Sequence, residues 1–238
     1  MSDEMENVDA DEQMIDCKCP YCGESVSFPK MDALAAQDCP FCMQVLVVPK
    51  DSGGVAKKFP LPITTSRLIL RRLQPGDADA LMQLTGDDDA EVAQRLQADE
   101  KVILSQLSPK LQLAVALRDT DRVIGLATMK YGAGPYEPAF NHPPEFTIMI
   151  GEPDQRKGFG AEAVRGLLEF GFRGLNMHRI IAYCDSRNEA FMKLAVKVGL
   201  RQEGAFFEDR FVKGEWVNTA YYAILQSEFE AAAGQKVS

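Results

Sequence analysis

The stretch from Glu145 to Gly204 constrains this chain most, and its centre is Gln155-Arg156-Lys157-Gly158-Phe159-Gly160-Ala161-Glu162. A strand-like run, Phe146-Thr147-Ile148-Met149-Ile150, precedes it, and Val164, Leu167, Leu168 and Phe172 follow on one face of a helix-period segment. A glycine-rich turn between a strand and a helix leaves backbone N–H groups free at the positive end of the helix dipole. That geometry holds anions, most often a phosphate or pyrophosphate. Taken alone, the turn fits either an anion site or close helix packing through small residues. The G-x-x-x-x-G-K-S/T phosphate loop is absent, and of the dinucleotide fingerprint only Gly158-Phe159-Gly160 is present.

The 238 residues are enough for one large domain, or for one domain and a small module. Of the net charge of −9, residues 1–59 carry −6, from 5 bases against 11 acids. So acidic a chain is poorly suited to non-specific nucleic-acid binding, which rests on lysine and arginine neutralising phosphates. No apolar run approaches the ~20 residues of a membrane helix. The acidic N-terminus lacks the basic, then apolar, pattern of a secretion signal, so a cytoplasmic address and no membrane partner are expected.

Residues 1–16 hold seven acids and no base, which predicts a disordered tail. Then come Cys19-Pro20-Tyr21-Cys22 and Cys39-Pro40-Phe41-Cys42, with 16 residues between the pairs. Two such knuckles bring four thiolates to a tetrahedral Zn²⁺, and Gly23 permits the tight turn behind the first. Val26 and Phe28 alternate with serines, and Val45-Leu46-Val47-Val48 is a β-branched run ended by Pro49. Segment 17–50 thus resembles a small all-β zinc ribbon. A piece this short falls below the ~40 residues at which a core alone usually suffices. Metal binding worth ~10–16 kcal/mol would supply its folding energy. Paired disulfides are the competing reading, disfavoured by a reducing compartment. Cys17 is a fifth, spare thiol. Residues 51–62, with Gly53-Gly54 and Pro60-Leu61-Pro62, read as a linker.

The second domain is expected over 63–229, followed by a tail at 230–238. Thr65 to Arg71 reads as a strand, Pro75-Gly76-Asp77 as a helix start, and 88–98 as another helix. Leu113 to Leu117 and Val123 to Met129 read as strands joined by a turn at Asp119-Thr120-Asp121. Residues 131–144 are rich in glycine and proline and predict an irregular loop. Ile180 to Cys184 is a short apolar strand. Asn188 begins a helix with Phe191, Leu194, Ala195 and Val198 on one face, and strands near 200–208 and 216–225 close the domain. A strand–helix–strand–helix centre between antiparallel hairpins gives an α+β fold with a mixed sheet.

Gln155 to Gly160 matches the Q/R-x-x-G-x-G/A acetyl-CoA motif, and the chain resembles the GNAT superfamily of N-acetyltransferases over most of 64–228. Thr65-Ser66-Arg67-Leu68-Ile69-Leu70-Arg71, Val123-Ile124-Gly125, Met177-His178-Arg179-Ile180, Asn188, Lys197-Val198-Gly199-Leu200 and Glu203-Gly204 extend the match. The pattern is similar to the RimJ/RimL branch, whose members acetylate N-termini of ribosomal proteins. It implies a mostly antiparallel mixed sheet flanked by helices, and transfer of an acetyl group from acetyl-CoA to a primary amine.

On that resemblance, Gln155, Arg156, Lys157, Gly158, Phe159, Gly160, Ala161 and Glu162 form the cofactor turn, its amides at about 157–162 holding the pyrophosphate. Backbone at Ile148, Met149 and Ile150 pairs with the pantetheine amides. Asn188, with Phe191 beside it, lies near the pantetheine arm, and Asn188 doubles as an N-cap. The thioester lies where the Phe146–Ile150 and Ile180–Cys184 strands splay apart. Glu145 is the candidate general base, with an exposed strand-end carboxylate as the plainer reading. Glu162, on the first helical turn, also reads as a structural charge on the helix dipole. Phe191 and Ala195 stand where the branch has a serine and many relatives have a thiolate-protonating tyrosine. Tyr183, Cys184 and Tyr222 are the substitutes at hand, and His142 and His178 read as structural.

At pH 7, deprotonating a lysine of pKa ~10.4 costs about 4–5 kcal/mol, against about 1 kcal/mol for an α-amine near 7.8. This favours an α-amine acceptor, on a protein N-terminus or a small molecule, with the ribbon recruiting a protein partner. The alternative is a non-catalytic acyl-CoA-binding module whose ribbon contacts a protein.

Overall fold

The computed structural model describes residues 14–30, 36–42, 44–58, 61–85, 110–130 and 143–234. Contacts divide the chain between Phe59 and Pro60 into two units. The expected helix at 88–98, most of the loop at 131–144 and His142 lie outside the described residues.

The first unit holds two small sheets. Strand β1 (Met14–Lys18) pairs antiparallel with β2 (Ser25–Pro29), and β4 (Val45–Val47) pairs antiparallel with β3 (Ala36–Asp38). Alternation puts Ile15, Cys17, Val26 and Phe28 in a shared core with Leu46, Val48, Cys19 and Cys39. Two expected boundaries are corrected here. Met14 to Asp16 belong to β1 rather than to a tail, because Ile15 and Cys17 alternate into that core. The expected linker 51–62 contributes β5 (Gly54–Val55), parallel to β1, and β6 (Lys57–Lys58), antiparallel to β4. Ala56 between them is buried.

The second unit is built on eight strands. In chain order they are β7 (Ile63–Thr64), β8 (Leu68–Arg72), β9 (Lys110–Leu117), β10 (Val123–Lys130), β11 (Glu145–Ile150), β12 (Arg179–Asp185), β13 (Arg201–Val212) and β14 (Glu215–Leu225). Their order across the sheet is β13-β14-β12-β11-β10-β9-β8-β7, and among these described strands only β11 and β12 pair parallel. Helix α1 (Ala78–Thr85) packs through Leu81 and Leu84 on one face, against Leu126 and Met149. Helices α2 (Phe159–Glu169) and α3 (Glu189–Lys197) cover the other face. The apolar stripe Val164, Leu167, Leu168 and Phe172 is almost wholly buried, and one π turn, Phe170–Gly174, ends α2. The strand expected over 65–71 is shorter than its pattern, since Thr65 to Arg67 form the turn between β7 and β8.

That turn is fastened to α2 by one carboxylate. Glu162 accepts hydrogen bonds from Thr65 Oγ1 (2.6 Å), Ser66 Oγ (2.9 Å), Arg67 N (2.7 Å) and Arg67 Nε (2.7 Å). Burial alone would raise its pKa, but these donors outweigh burial and hold it down to about 2. The last strand pair, β13 and β14, carries a bulge: Phe206 faces Thr219, yet Arg210 faces Val217, so β13 holds two extra residues between them.

Because the folded pKa of Glu162 lies below the ~4.3 of a free glutamate, its charge stabilises the fold above that value. The contribution is lost as pH falls through about 2. Glu162→Gln is expected to lower stability at pH 7 and to flatten the stability–pH curve between roughly pH 5 and 2. Urea unfolding at a series of pH values measures this, and parallel curves for the two proteins would overturn it.

Candidate active site and cysteine cluster

Strands β11 and β12 meet at a single register, Glu145 opposite Ile181, and then part. Each is paired on its outer side, β11 with β10 through Ile150 and β12 with β14 through Asp185. The inner edges beyond Glu145 therefore carry backbone groups that no strand ladder satisfies, opening a wedge toward the Ile150 end. The three segments expected to hold the cofactor (Ile148 to Ile150, the glycine turn and the start of α3) lie beside this wedge, Gly160 against Ile150 and Leu194, and Phe191 against Phe146.

At its wide end stands the turn. Gly158 is the N-cap of α2 with φ +84°, a left-handed conformation that costs glycine nothing. Among the described residues no side chain caps the helix there, so its first amides have no such partner and suit an anion. A methyl at Gly160 would stand 3.0 Å from Leu194 Cδ1, so this glycine lets α2 and α3 approach. Close packing thus accounts for Gly160, and the left-handed cap conformation for Gly158.

The turn is braced by side chains that sequence reasoning did not single out. Asp154 is buried and accepts from Arg122 Nη1 (2.7 Å), Arg122 Nη2 (3.1 Å) and Lys157 Nζ (3.0 Å). The Arg122 guanidinium is the main reason its pKa falls to about 2. Arg67 donates through Nη1 to the Lys157 carbonyl (3.2 Å), and its guanidinium lies 4.5 Å from the Phe159 ring centre. Gln155 donates through Nε2 to the Ile150 carbonyl at 2.8 Å. Gln155, Lys157 and Glu162 therefore engage their side chains in bonds within the chain, Gln155 and Lys157 at the surface, while the turn offers its backbone. Arg156, at φ +59°, sits exposed in the same turn.

The two faces of the wedge differ. On the helix-covered face, Phe191 of α3 lies 6.2 Å from Phe146 of β11 and 6.3 Å from Tyr222 of β14, measured between ring centres. Phe191 thus spans β12 above the buried Ala182. Asn188 caps α3, its Oδ1 accepting from Phe191 N at 3.0 Å. Ala195 is fully buried. On the opposite face stand Glu145, Thr147 and, two residues past Ile181, Tyr183. Glu145 pairs with Lys130 Nζ at 3.4 Å across the β10–β11 ladder.

Of the three residues able to replace the missing acid, Cys184 and Tyr222 are buried on the helix-covered side and Tyr183 is half-buried on the open side. Burial raises the pKa of all three. Tyr183 is raised further by Tyr221 and Glu145. His178 precedes β12, and its carbonyl accepts from Gln226 N.

In the first unit, the four sulfurs of Cys19, Cys22, Cys39 and Cys42 all lie within 4.8 Å of one another. The Cys19–Cys42 and Cys22–Cys39 sulfur pairs stand 3.7 and 3.8 Å apart. A tetrahedron of sulfurs about 2.3 Å from a central ion has edges of about 3.8 Å, so the donor set fits a tetrahedral thiophilic metal. Two turns of the same design present them, Cys19 N bonding Glu24 O and Cys39 N bonding Gln44 O. Despite burial, N–H groups of Cys22 and Tyr21 bring Cys19 down to about 7. The Glu24 N–H favours the Cys22 thiolate, but burial and the neighbouring thiols push it up to about 12. Four such groups ionise together only around a cation.

Comparison with known proteins agrees with this geometry. Residues 67–201 match the acetyltransferase (GNAT) domain. The chain is 34% identical over 176 residues to the uncharacterized N-acetyltransferase YnaD of Bacillus subtilis strain 168, covering 70% of this chain and 98% of that one. Over 87 residues it is 29% identical to the spermidine N(1)-acetyltransferase of Escherichia coli K12, 37% of this chain and 47% of that protein. Among solved structures, a GNAT-family acetyltransferase from Bacillus anthracis superposes with a TM-score of 0.56 at 25% identity, over 69% of this chain and 98% of that one. The fold is shared with a spermidine N-acetyltransferase from Vibrio cholerae solved with CoA and spermine, at a TM-score of 0.57 and 24% identity, covering 70% and 99%. A mixed sheet with one parallel wedge, an uncapped helix beside it and these matches lead to one conclusion: the chain belongs to the GNAT acetyltransferase family and is an N-acetyltransferase.

Proposed function

We propose that the protein moves an acetyl group from acetyl-CoA to a primary α-amine, on a protein N-terminus or a small molecule, by direct attack on the thioester. The observation that carries this is the wedge, with open backbone on β11, an uncapped α2 at its wide end and Glu145 at its apex. The amides of Ile148 to Ile150 suit the pantetheine, the turn at Gln155 to Glu162 suits the pyrophosphate, and Asn188 and Phe191 border the arm. In the reaction the amine nitrogen bonds to the carbonyl carbon and the C–S bond breaks. Glu145 takes the amine proton, directly or through water, and the departing thiolate gains one. Tyr183 is the donor we assign, since it stands on the open face and its raised pKa keeps it protonated at neutral pH.

For the first unit we propose a structural Zn²⁺ held by Cys19, Cys22, Cys39 and Cys42, in a ribbon that recruits a protein partner in the reducing cytoplasm. The 3.7 and 3.8 Å sulfur edges support the metal. The exposed Phe41 and half-exposed Tyr21 at the knuckle tips support the partner surface.

Glu145→Gln is expected to lower kcat/KM by roughly 10²–10⁴ while leaving KM for acetyl-CoA unchanged. Thiol release measured across pH tests this, and an unaltered rate would remove Glu145 from the mechanism. Elemental analysis of protein prepared without chelator is expected to find about one zinc per chain. Stripping the metal, or Cys39→Ser, should render residues 14–58 sensitive to protease, since metal binding supplies ~10–16 kcal/mol of folding energy. Metal-free protein with intact protease resistance would reject the site.

A further inference from the structure

The open face of the wedge continues into a row of aromatic rings. Tyr183 of β12 pairs in register with Tyr221 of β14, and their ring centres are 5.0 Å apart. Phe206 of β13 follows, 6.5 Å from Tyr221 and edge-on to it, and is 51% exposed. Register places all three on the face that carries Glu145: Glu145 opposes Ile181, Tyr183 lies two residues on, and Phe206 opposes Thr219, two residues from Tyr221. At about 4.8 Å per strand the row extends roughly 10 Å from the wedge, the span of one aromatic side chain or two peptide residues. Phe191, Phe146 and Tyr222 close the other face, so an acceptor reaches the wedge across this row.

The charges beside the row are already committed. The Arg179 guanidinium sits 5.9 Å from the Tyr221 ring centre and donates to its hydroxyl at 3.2 Å. Glu203, a nearby carboxylate, is paired with Arg179 and Arg201, and Glu145 and Asp209 also lie close enough to Tyr183 to raise its pKa. Arg210 adds a guanidinium on the same face, donating to Thr219 Oγ1 at 3.0 Å. The ring face that would attract a cation thus already holds one, and a polycationic acceptor would meet two arginines there. An apolar or aromatic group finds the rings of Tyr183, Tyr221 and Phe206 there.

We propose that Tyr183, Tyr221 and Phe206 form the acceptor shelf, and that the acceptor carries an apolar or aromatic group next to its amine rather than a second positive charge. This rests on the acetyl-transfer reading above. Phe206 sets specificity from a distance and takes no part in the proton transfers.

Steady-state transfer from acetyl-CoA to phenethylamine, a tripeptide amide beginning with phenylalanine, one beginning with glycine, and spermidine tests the shelf. The first two are expected to exceed the last two in kcat/KM, and their ratio to each other tells a free amine from a peptide terminus as the source. Phe206→Ala should raise KM for the aromatic acceptors roughly three- to tenfold, leave KM for acetyl-CoA unchanged, and be rescued by Phe206→Tyr. Preference for spermidine, or an aromatic KM indifferent to Phe206→Ala, would overturn the shelf. Should no acceptor be acetylated, the transfer reading fails, and the shelf is then judged by titrating phenethylamine into CoA-loaded protein followed by NMR. Saturable binding lost in Phe206→Ala supports it, and no binding to the unaltered protein overturns it.

Discussion

The contact on which the site depends is the lone pairing of Glu145 with Ile181. Two parallel strands that ran together along their length would satisfy one another's amides and carbonyls and leave nothing for a ligand. Two that never met would leave the sheet in halves. One shared register holds the sheet in one piece and frees the backbone beyond it. The outer ladders with β10 and β14 hold both strands in the sheet on either side of the gap.

The wedge also explains why its supports are gathered where they are. Glu162 ties α2 to the β7–β8 turn, Arg122 and Asp154 fix the chain leaving β11, and Arg67 touches both the turn and the first helical residue. The Glu162 and Asp154 carboxylates are largely buried, where such bonds are stronger and a missing partner costs more, while their arginine partners stand about half exposed. These bonds fix the turn from several sides while its first helical amides keep no side-chain partner among the described residues.

Much of this was legible in the sequence, and for physical reasons. Apolar periodicity marked α2 and α3 because each buries one face, a continuous apolar run marked β12 because Ile180 to Ala182 are buried on both faces, and the paired knuckles marked the cysteine cluster because ligand spacing is local. The braces were not legible. Arg67 and Glu162 are 95 residues apart, and nothing in either neighbourhood announces the other. Strands β5 and β6 are two residues each, too short for a period, in a segment whose glycines and lysines read as a connection. Strand β13 shows why exposure misleads: Phe206 and Phe207 suggest burial, yet nearly the whole strand faces solvent at the sheet edge.

That edge bears on how the protein avoids its own copies. A flat, twelve-residue edge rich in phenylalanine is a template on which another strand could polymerise. The two extra residues between Phe206 and Arg210 break the spacing of its outward amides and carbonyls. The Glu208 amide turns inward to the Asn218 side chain at 2.8 Å, leaving one rung fewer to offer. A newcomer would find short, interrupted ladders instead of one long one. The irregularity that looks like a flaw in the sheet thus lets the chain expose aromatic rings at its margin and still resist fibre growth from that side.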